Sequence, residues 1–198
     1  MKKELKRMDP KIKKNLDFFL RPDEKVLWHG KTRSFGITEG KEGKRVLLQW
    51  VLSAVCIFGF LALVLAYGNA TATVIGLLML LLVILVVAPI LSYRGVLTQE
   101  YFITDQRVLL IKPDGAANAI ERGNVDDCRL VRTDFGGEAL VIGSGLFPEG
   151  DKQLRWRALH PKLGRYAKSN DGLTIAEGLV FYHVTDGEQA AQMLRQTT

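Results

Sequence analysis

The side chains best suited to chemistry are few and far apart. Histidine occurs at His29, His160 and His183, and cysteine at Cys56 and Cys128. A zinc site needs several such ligands at short, regular spacings; these five have none, so neither a metal nor another cofactor is expected. Cys56 also falls inside an apolar run, which argues against a disulfide with Cys128. Two glycine motifs fall short of phosphate cradles. Gly30-Lys31-Thr32 has Lys25 where a phosphate loop needs its first glycine, and Gly143-Ser144-Gly145 has Pro148 where a dinucleotide fingerprint needs its third. Ser144 also lacks the glycines two residues to either side that frame a nucleophile elbow. No nucleophile, base and orienting group can be assembled, so an enzyme is not expected.

The densest functional signal is electrostatic. Across residues 151–168, Lys152, Arg155, Arg157, Lys162, Arg165 and Lys168 oppose only Asp151, with Trp156 and Tyr166 interleaved. Near an anionic inner leaflet each such cation is attracted by about 1 kcal/mol, and a Trp ring favours the interface. Lys152, Arg155, Trp156, Arg157, Lys162 and Arg165 are therefore candidate contacts for a membrane or an anionic ligand. A solvated loop and a protein-docking surface are the competing readings. Nucleic acid is not expected, because the chain carries a membrane anchor.

That anchor is the strongest feature of the sequence. The 198 residues carry a formal net charge of +6 and are 47% hydrophobic, which excludes wholesale disorder, and two cysteines exclude a disulfide scaffold. The averages hide a sharp partition. From Val46 to Tyr93 the chain has no Asp, Glu, Lys, Arg or His, a run of 48 residues. A helix needs roughly 20 residues to cross a hydrocarbon core, so the run suits two crossings. Gly68-Asn69 is its only adjacent pair of breakers. The expected helices are about 46–67 and 71–92, with Pro89 tolerated as a late kink. Trp50, Tyr67 and Tyr93 near the ends suit the headgroup level.

The flanks give the orientation. Residues 1–45 hold 14 Lys+Arg, the turn has none, and Arg94 follows the second helix. The positive-inside bias then puts both termini in the cytoplasm. By segment the charge is +7 for 1–45 (14 minus 7), zero for 46–92 and −1 for 93–198 (13 minus 14). The basic excess therefore reads as topology. Asn69-Ala70-Thr71 matches a glycosylation sequon but stands almost at the membrane surface.

The N-terminal segment, 1–45, is expected to hold a helix opened by Asp9-Pro10. Ile12, Leu16, Phe19 and Leu20 make one apolar stripe, with Lys11, Lys13 and Lys14 elsewhere on the wheel. The stripe either packs on the protein's own domain or lies on the membrane. Lys25 to His29 reads as a short strand, and 33–45 as a flexible lead-in.

After the anchor, 95–198 reads as a cytoplasmic domain that is largely β. Two strands, 100–104 and 107–112, flank Asp105-Gln106 as a tight hairpin. Further strands are expected at 119–122, 128–133, 139–142 and 178–184. Thr185 with Glu188 has capping-box spacing for a final helix whose apolar side is Ala190, Ala191, Met193 and Leu194. The fold class is α+β: a transmembrane α-hairpin plus a small, mainly antiparallel barrel or sandwich with a C-terminal helix over an open end.

Two segments carry a family likeness. Leu20-Arg21-Pro22-Asp23-Glu24-Lys25-Val26-Leu27-Trp28-His29-Gly30 precedes the apolar run, and Tyr101-Phe102-Ile103-Thr104-Asp105-Gln106-Arg107-Val108 follows it. With the two-helix insertion, the chain resembles the bacterial pleckstrin-homology-like (PH-like) membrane proteins. Thr32 departs from a common Pro, and the polar insert 143–173 has no counterpart in the motifs. The resemblance implies a seven-stranded barrel-like fold with a terminal helix at the cytoplasmic face of the bacterial inner membrane, and no shared catalytic residue. The expected function is a membrane-anchored interaction module binding a protein partner, itself or anionic headgroups. The alternative is an accessory subunit of a transport or secretion assembly.

Overall fold

The computed structural model describes residues 10–68, 71–133, 136–143, 155–159, 161–163, 169–170 and 172–195. The expected cap Asp9 and the sequon residues Asn69 and Ala70 lie outside them. The described residues fall into two units, one drawn from Met1–Ser34 together with Gly95–Thr198 and the other from Phe35–Arg94. The N-terminal segment expected as a separate region thus divides at Ser34, and most of it belongs to the β domain.

In the β domain a helix α1 (Pro10–Phe19) precedes strand β1 (Val26–Lys31). Beyond the apolar helices come β2 (Glu100–Thr104), β3 (Arg107–Ile111), β4 (Ala117–Glu121), β5 (Cys128–Arg132), β6 (Glu138–Ile142), the two-residue β7 (Lys162–Leu163) and β8 (Ser169–Asn170), and the long β9 (Leu173–Val184). The main path runs β1-β2-β3-β4-β9-β6-β5, with β7 and β8 paired to β9 off it. The sheet is a curled, mixed half-barrel. The expectation of a mainly antiparallel sheet needs one correction: β4 and β9 are parallel, Ala117 opposite Leu173 and Ala119 opposite Ile175. The curl brings the end of β1 to β9, where Thr32 bridges Val184 and the Arg33 N–H donates to the His183 carbonyl at 2.8 Å.

Strand alternation builds two cores from one sheet. Tyr101, Ile103, Val108, Leu110 and Ile120 face inward with Trp28, Leu140 and Phe181. Their neighbours Phe102, Leu109, Ile111 and Ala119 face the other way, onto Ile12, Leu16 and Phe19 of α1. Both faces are covered, so every residue of β2 and β3 is buried. The apolar stripe of α1 packs on the domain, which decides between the two readings of that helix. Each of its three side chains contributes about 1.5–3 kcal/mol by leaving water.

The last helix, α4 (Gly187–Arg195), begins two residues beyond Thr185; the Asp186 carbonyl accepts the Ala190 N–H, so Asp186 takes the cap position. Ala190, Ala191 and Leu194 enter the inner core.

The second unit holds α2 (Gly40–Ala66) and α3 (Ala72–Leu97) as far as Arg94. Both are long and apolar enough to cross a membrane, and only 11% and 6% of their apolar windows are buried, unlike core helices of a soluble protein. Between them Gly68 takes the left-handed conformation, φ 71°, and Thr71 Oγ1 accepts the Val74 N–H at 3.3 Å. α2 starts six residues before the expected 46, so 40–45 is helix and not a flexible lead-in. Glu42 and Arg45 pair there one turn apart, which supports the helix at the edge of the apolar run. Tyr93 donates its hydroxyl to the Phe35 carbonyl, and the two rings meet edge to face at 5.2 Å.

Candidate functional site

The strongest constellation of ionisable groups lies in the β domain, where the two motif segments meet. Glu24 follows α1, and Thr104 and Arg107 flank the β2–β3 turn. Arg107 Nε donates to Glu24 Oε1 at 2.8 Å and Nη2 to Oε2 at 2.7 Å, while Thr104 donates to Oε1 at 2.7 Å and the Arg21 N–H to Oε2 at 2.9 Å. Arg107 Nη2 also reaches the Phe19 carbonyl at the end of α1. Burial alone would push the Glu24 carboxyl up, but the bonds from Arg107, the Arg21 N–H and Thr104 outweigh it and hold the group below the usual carboxylate range. Every lobe of the carboxylate has a donor, so this cluster pins the α1 segment to the hairpin and has no capacity left for a ligand.

A second polar hub sits deeper. The Tyr101 hydroxyl accepts from Gln99 Nε2 at 2.7 Å and from the Tyr182 N–H at 3.1 Å, and lies 2.9 Å from Thr32 Oγ1. Burial raises its pKa to about 12, against the smaller downward pull of these bonds. Its ring stacks on Phe181 at 4.5 Å, and Trp28 stacks on the same ring at 5.9 Å. Trp28 folds back over Gly30: a Cβ there would stand 2.2 Å from the indole. Gly30 and Lys31 therefore belong to a strand under an aromatic ring and not to a phosphate loop.

The histidines are likewise built into the domain. His29 Nε2 is 2.7 Å from Glu100 Oε2, and its ring stacks on Phe102 at 4.8 Å. His183, the one non-glycine at positive φ among the described residues (49°), is buried with Nδ1 3.3 Å from Thr133 Oγ1. His160 lies outside the described residues. Cys128 is buried, its thiol directed at the Ala191 carbonyl at 3.8 Å, and burial pushes its pKa up in spite of Arg195 nearby. A raised pKa makes a poor nucleophile. Among the described residues no group of three or more His, Cys, Asp or Glu could hold a metal. Gly143 follows β6 with φ 96°, and a Cβ there would stand 2.4 Å from the Glu177 carbonyl oxygen; Ser144 and Gly145, on which the β-turn reading rests, lie outside the described residues.

Of the basic insert, Lys152, Arg165, Lys168 and Tyr166 also lie outside. Arg155 and Arg157 are half-buried around a 3-10 turn, Trp156–Ala158, and Lys162 is exposed on β7. Trp156 requires a correction. It is 1% exposed, so its ring is part of the interior and does not present itself to a bilayer. Burying so large an apolar surface outweighs what a polar loop would gain by displaying it. Beside this turn Gln99, Lys112, Asn118 and Pro161 border a shallow depression with room for about one water, too small for a metabolite.

The signals that sequence reasoning missed are Glu24, Thr104, Arg107 and Tyr101. All four stand in the two quoted motifs, but as pairing partners across the apolar run they cannot be matched by local spacing. Compared with protein-family models, curated proteins and solved structures, the chain matches none.

Proposed function

We propose that the protein is a membrane-anchored, non-enzymatic interaction module, a PH-like half-barrel tethered to the cytoplasmic face of a bacterial inner membrane. The observation that carries this reading is an insertion. β1 and β2 pair antiparallel, Lys31 opposite Glu100, yet α2 and α3 stand between them in the chain. The apolar hairpin thus interrupts a hairpin of the folded domain, and only Thr98 and Gln99 separate α3 from β2. So short a connection keeps the domain at the bilayer and raises its local concentration for anything else held there. The polar clusters are saturated by internal bonds, which supports binding over catalysis. The ligand class in this reading is a protein partner, a second copy or anionic headgroups.

Two experiments test it. Membranes carrying the protein should retain it through alkaline extraction, and reporters at either terminus should report the cytoplasm while one inserted after Gly68 reports the outside. Release into the supernatant would remove the anchor, and the reading with it. Photo-crosslinkers at exposed positions of the domain, such as Arg132 and Lys162, should capture discrete adducts in living cells. Uniform absence of adducts would argue against an interaction module.

A further inference from the structure

The strand path has two ends, and they are finished differently. At β1 the curl brings Thr32 and Arg33 onto β9. At the other end β5 pairs, among the described residues, only with β6, Cys128 opposite Ile142 and Arg132 opposite Glu138. The Gly143 N–H donates to the Asp127 carbonyl at 2.9 Å and the Thr133 N–H to the Gly137 carbonyl at 2.7 Å, so the odd-numbered residues of β5 turn their backbone groups to β6. Cys128, Leu130 and Arg132 therefore turn theirs to the open edge. Cys128 is closed locally, its N–H donating to Asp127 Oδ1 at 2.7 Å and its carbonyl accepting from Arg195 Nη2 at 3.4 Å. Among the described residues nothing bonds the outward N–H and C=O groups of Leu130 and Arg132. The run from Cys128 to Arg132 also holds no proline, lysine or bulge of the kind that blunts an exposed edge. We infer that a second copy of this chain covers this edge, β5 pairing antiparallel with its twin about a two-fold axis at Val131.

The spacing of the open groups selects the occupant and the register. With Val131 opposite its counterpart, Leu130 stands opposite the twin's Arg132 and exchanges both backbone bonds with it, and symmetry repeats the exchange. All the open N–H and C=O groups of both copies are then used. Centring the pair on Leu130 would set Arg132 against Cys128, whose groups are already taken. Centring it on Arg132 would set two arginines face to face, whereas the Val131 register directly opposes no like charges. An extended peptide could offer the same bonds but would have to be ordered to make them, while the twin's strand is already held by its own β6. So short an interface is weak between free domains, but copies anchored by α2 and α3 in one membrane meet at high local concentration. The inference deepens the interaction-module reading and rests on its anchor.

Disulfide trapping of the full chain in isolated membranes, in a Cys56→Ser/Cys128→Ala background, tests it. A non-hydrogen-bonded antiparallel pair has Cα atoms about 4.5 Å apart, within the range of about 4.4–6.8 Å that a disulfide bridges, so oxidised Val131→Cys should give a covalent homodimer. Arg129→Cys, about 14 Å from its counterpart in this register, and Asp114→Cys on the β3–β4 turn should crosslink about tenfold more slowly. Arg132→Pro removes an outward N–H but no bond to β6, and should cut the yield at Val131→Cys about tenfold with an unchanged unfolding midpoint. Should that proline lower the midpoint, the positional pattern decides alone. Equal rates at 131, 129 and 114, an unchanged yield in a folded Arg132→Pro chain, or an adduct at 131 containing a different protein each overturns the second copy. Alkaline extraction separates the two levels: a chain retained in the membrane but not trapped at 131 defeats only this inference, while release into the supernatant defeats the anchor on which it rests.

Discussion

Arg107 and Glu24 lie 83 residues apart in sequence and form a buried, doubly bonded ion pair, with Arg107 Nη2 2.7 Å from Glu24 Oε2 and side-chain exposures of 3% and 0%. Between them the chain passes through both apolar helices. The pair is a clasp that holds the segment before the insertion to the hairpin after it.

Removing one partner leaves the other charge buried and uncompensated. Glu24→Gln or Arg107→Met should lower stability by about 3–5 kcal/mol, and the double replacement Glu24→Met/Arg107→Met by clearly less than the sum. Thermal unfolding of the detergent-solubilised chain measures this; additive losses would show the pair is not coupled. The clasp also sets an acid limit. Because the Glu24 carboxyl is held low in the fold, its stabilisation is complete above the unfolded value of about 4.3 and is lost as pH falls through the lower folded value. The double variant should lack that acid step.

The alkaline limit runs through Tyr101. Its pKa is pushed up to about 12, so the folded chain keeps a proton that the unfolded chain loses near 10. Stability should be full below pH 10 and fall by about 3 kcal/mol as pH rises to 12. Tyr101→Phe should flatten that decline while lowering stability at neutral pH by about 1–3 kcal/mol, since Gln99 and the Tyr182 N–H lose their acceptor. Unfolding midpoints across this pH range decide it.

Gly30→Ala forces a methyl into the Trp28 indole. The ring must leave its stack on Phe181, at a cost of about 1–3 kcal/mol. Combining it with Trp28→Leu should cost less than the two changes separately, because the smaller side chain vacates the space. Strict additivity in a double-mutant cycle would exclude the proposed clash.

A fragment of residues 95–198 alone should fail to fold, since it lacks α1, Glu24 and Trp28. A chain joining 10–33 to 98–198 through a short turn should give a soluble, cooperatively unfolding domain, because Thr32 and Gln99 adjoin a paired β-hairpin. Circular dichroism and proteolysis of the two products check this; a stable 95–198 fragment would contradict the described core.

An arginine in the middle of α3 tests the other unit. Ile84→Arg should weaken insertion by about 2.5–3.5 kcal/mol and raise the alkaline-extractable fraction. No change in extraction would mean that α3 is not lipid-embedded.

Much of this was legible locally. The two apolar helices follow from 48 uncharged residues broken at Gly68, and the β2–β3 turn from Asp105-Gln106 between two short, continuous apolar runs. The stripe of α1 was plain from its 3.6-residue period, because these patterns depend on neighbours within a few residues. What the stripe touches was not. β1 pairs with a strand about 70 residues later, β4 runs parallel to β9, and Glu24 finds Arg107 only after the sheet has curled. The candidate site followed the same division. Charge and aromatic content singled out 151–168, but whether Trp156 faces water or core depends on the whole sheet around it, and it faces core. Sequence by itself thus determined the apolar span and most of the helices and strands, but not the helical 40–45, the short strands of the insert or the early start of β9 at Leu173. Only the tertiary structure decided which of them form one domain, because long-range pairing is driven by burial and hydrogen-bond satisfaction summed over distant segments, and no local window contains that sum.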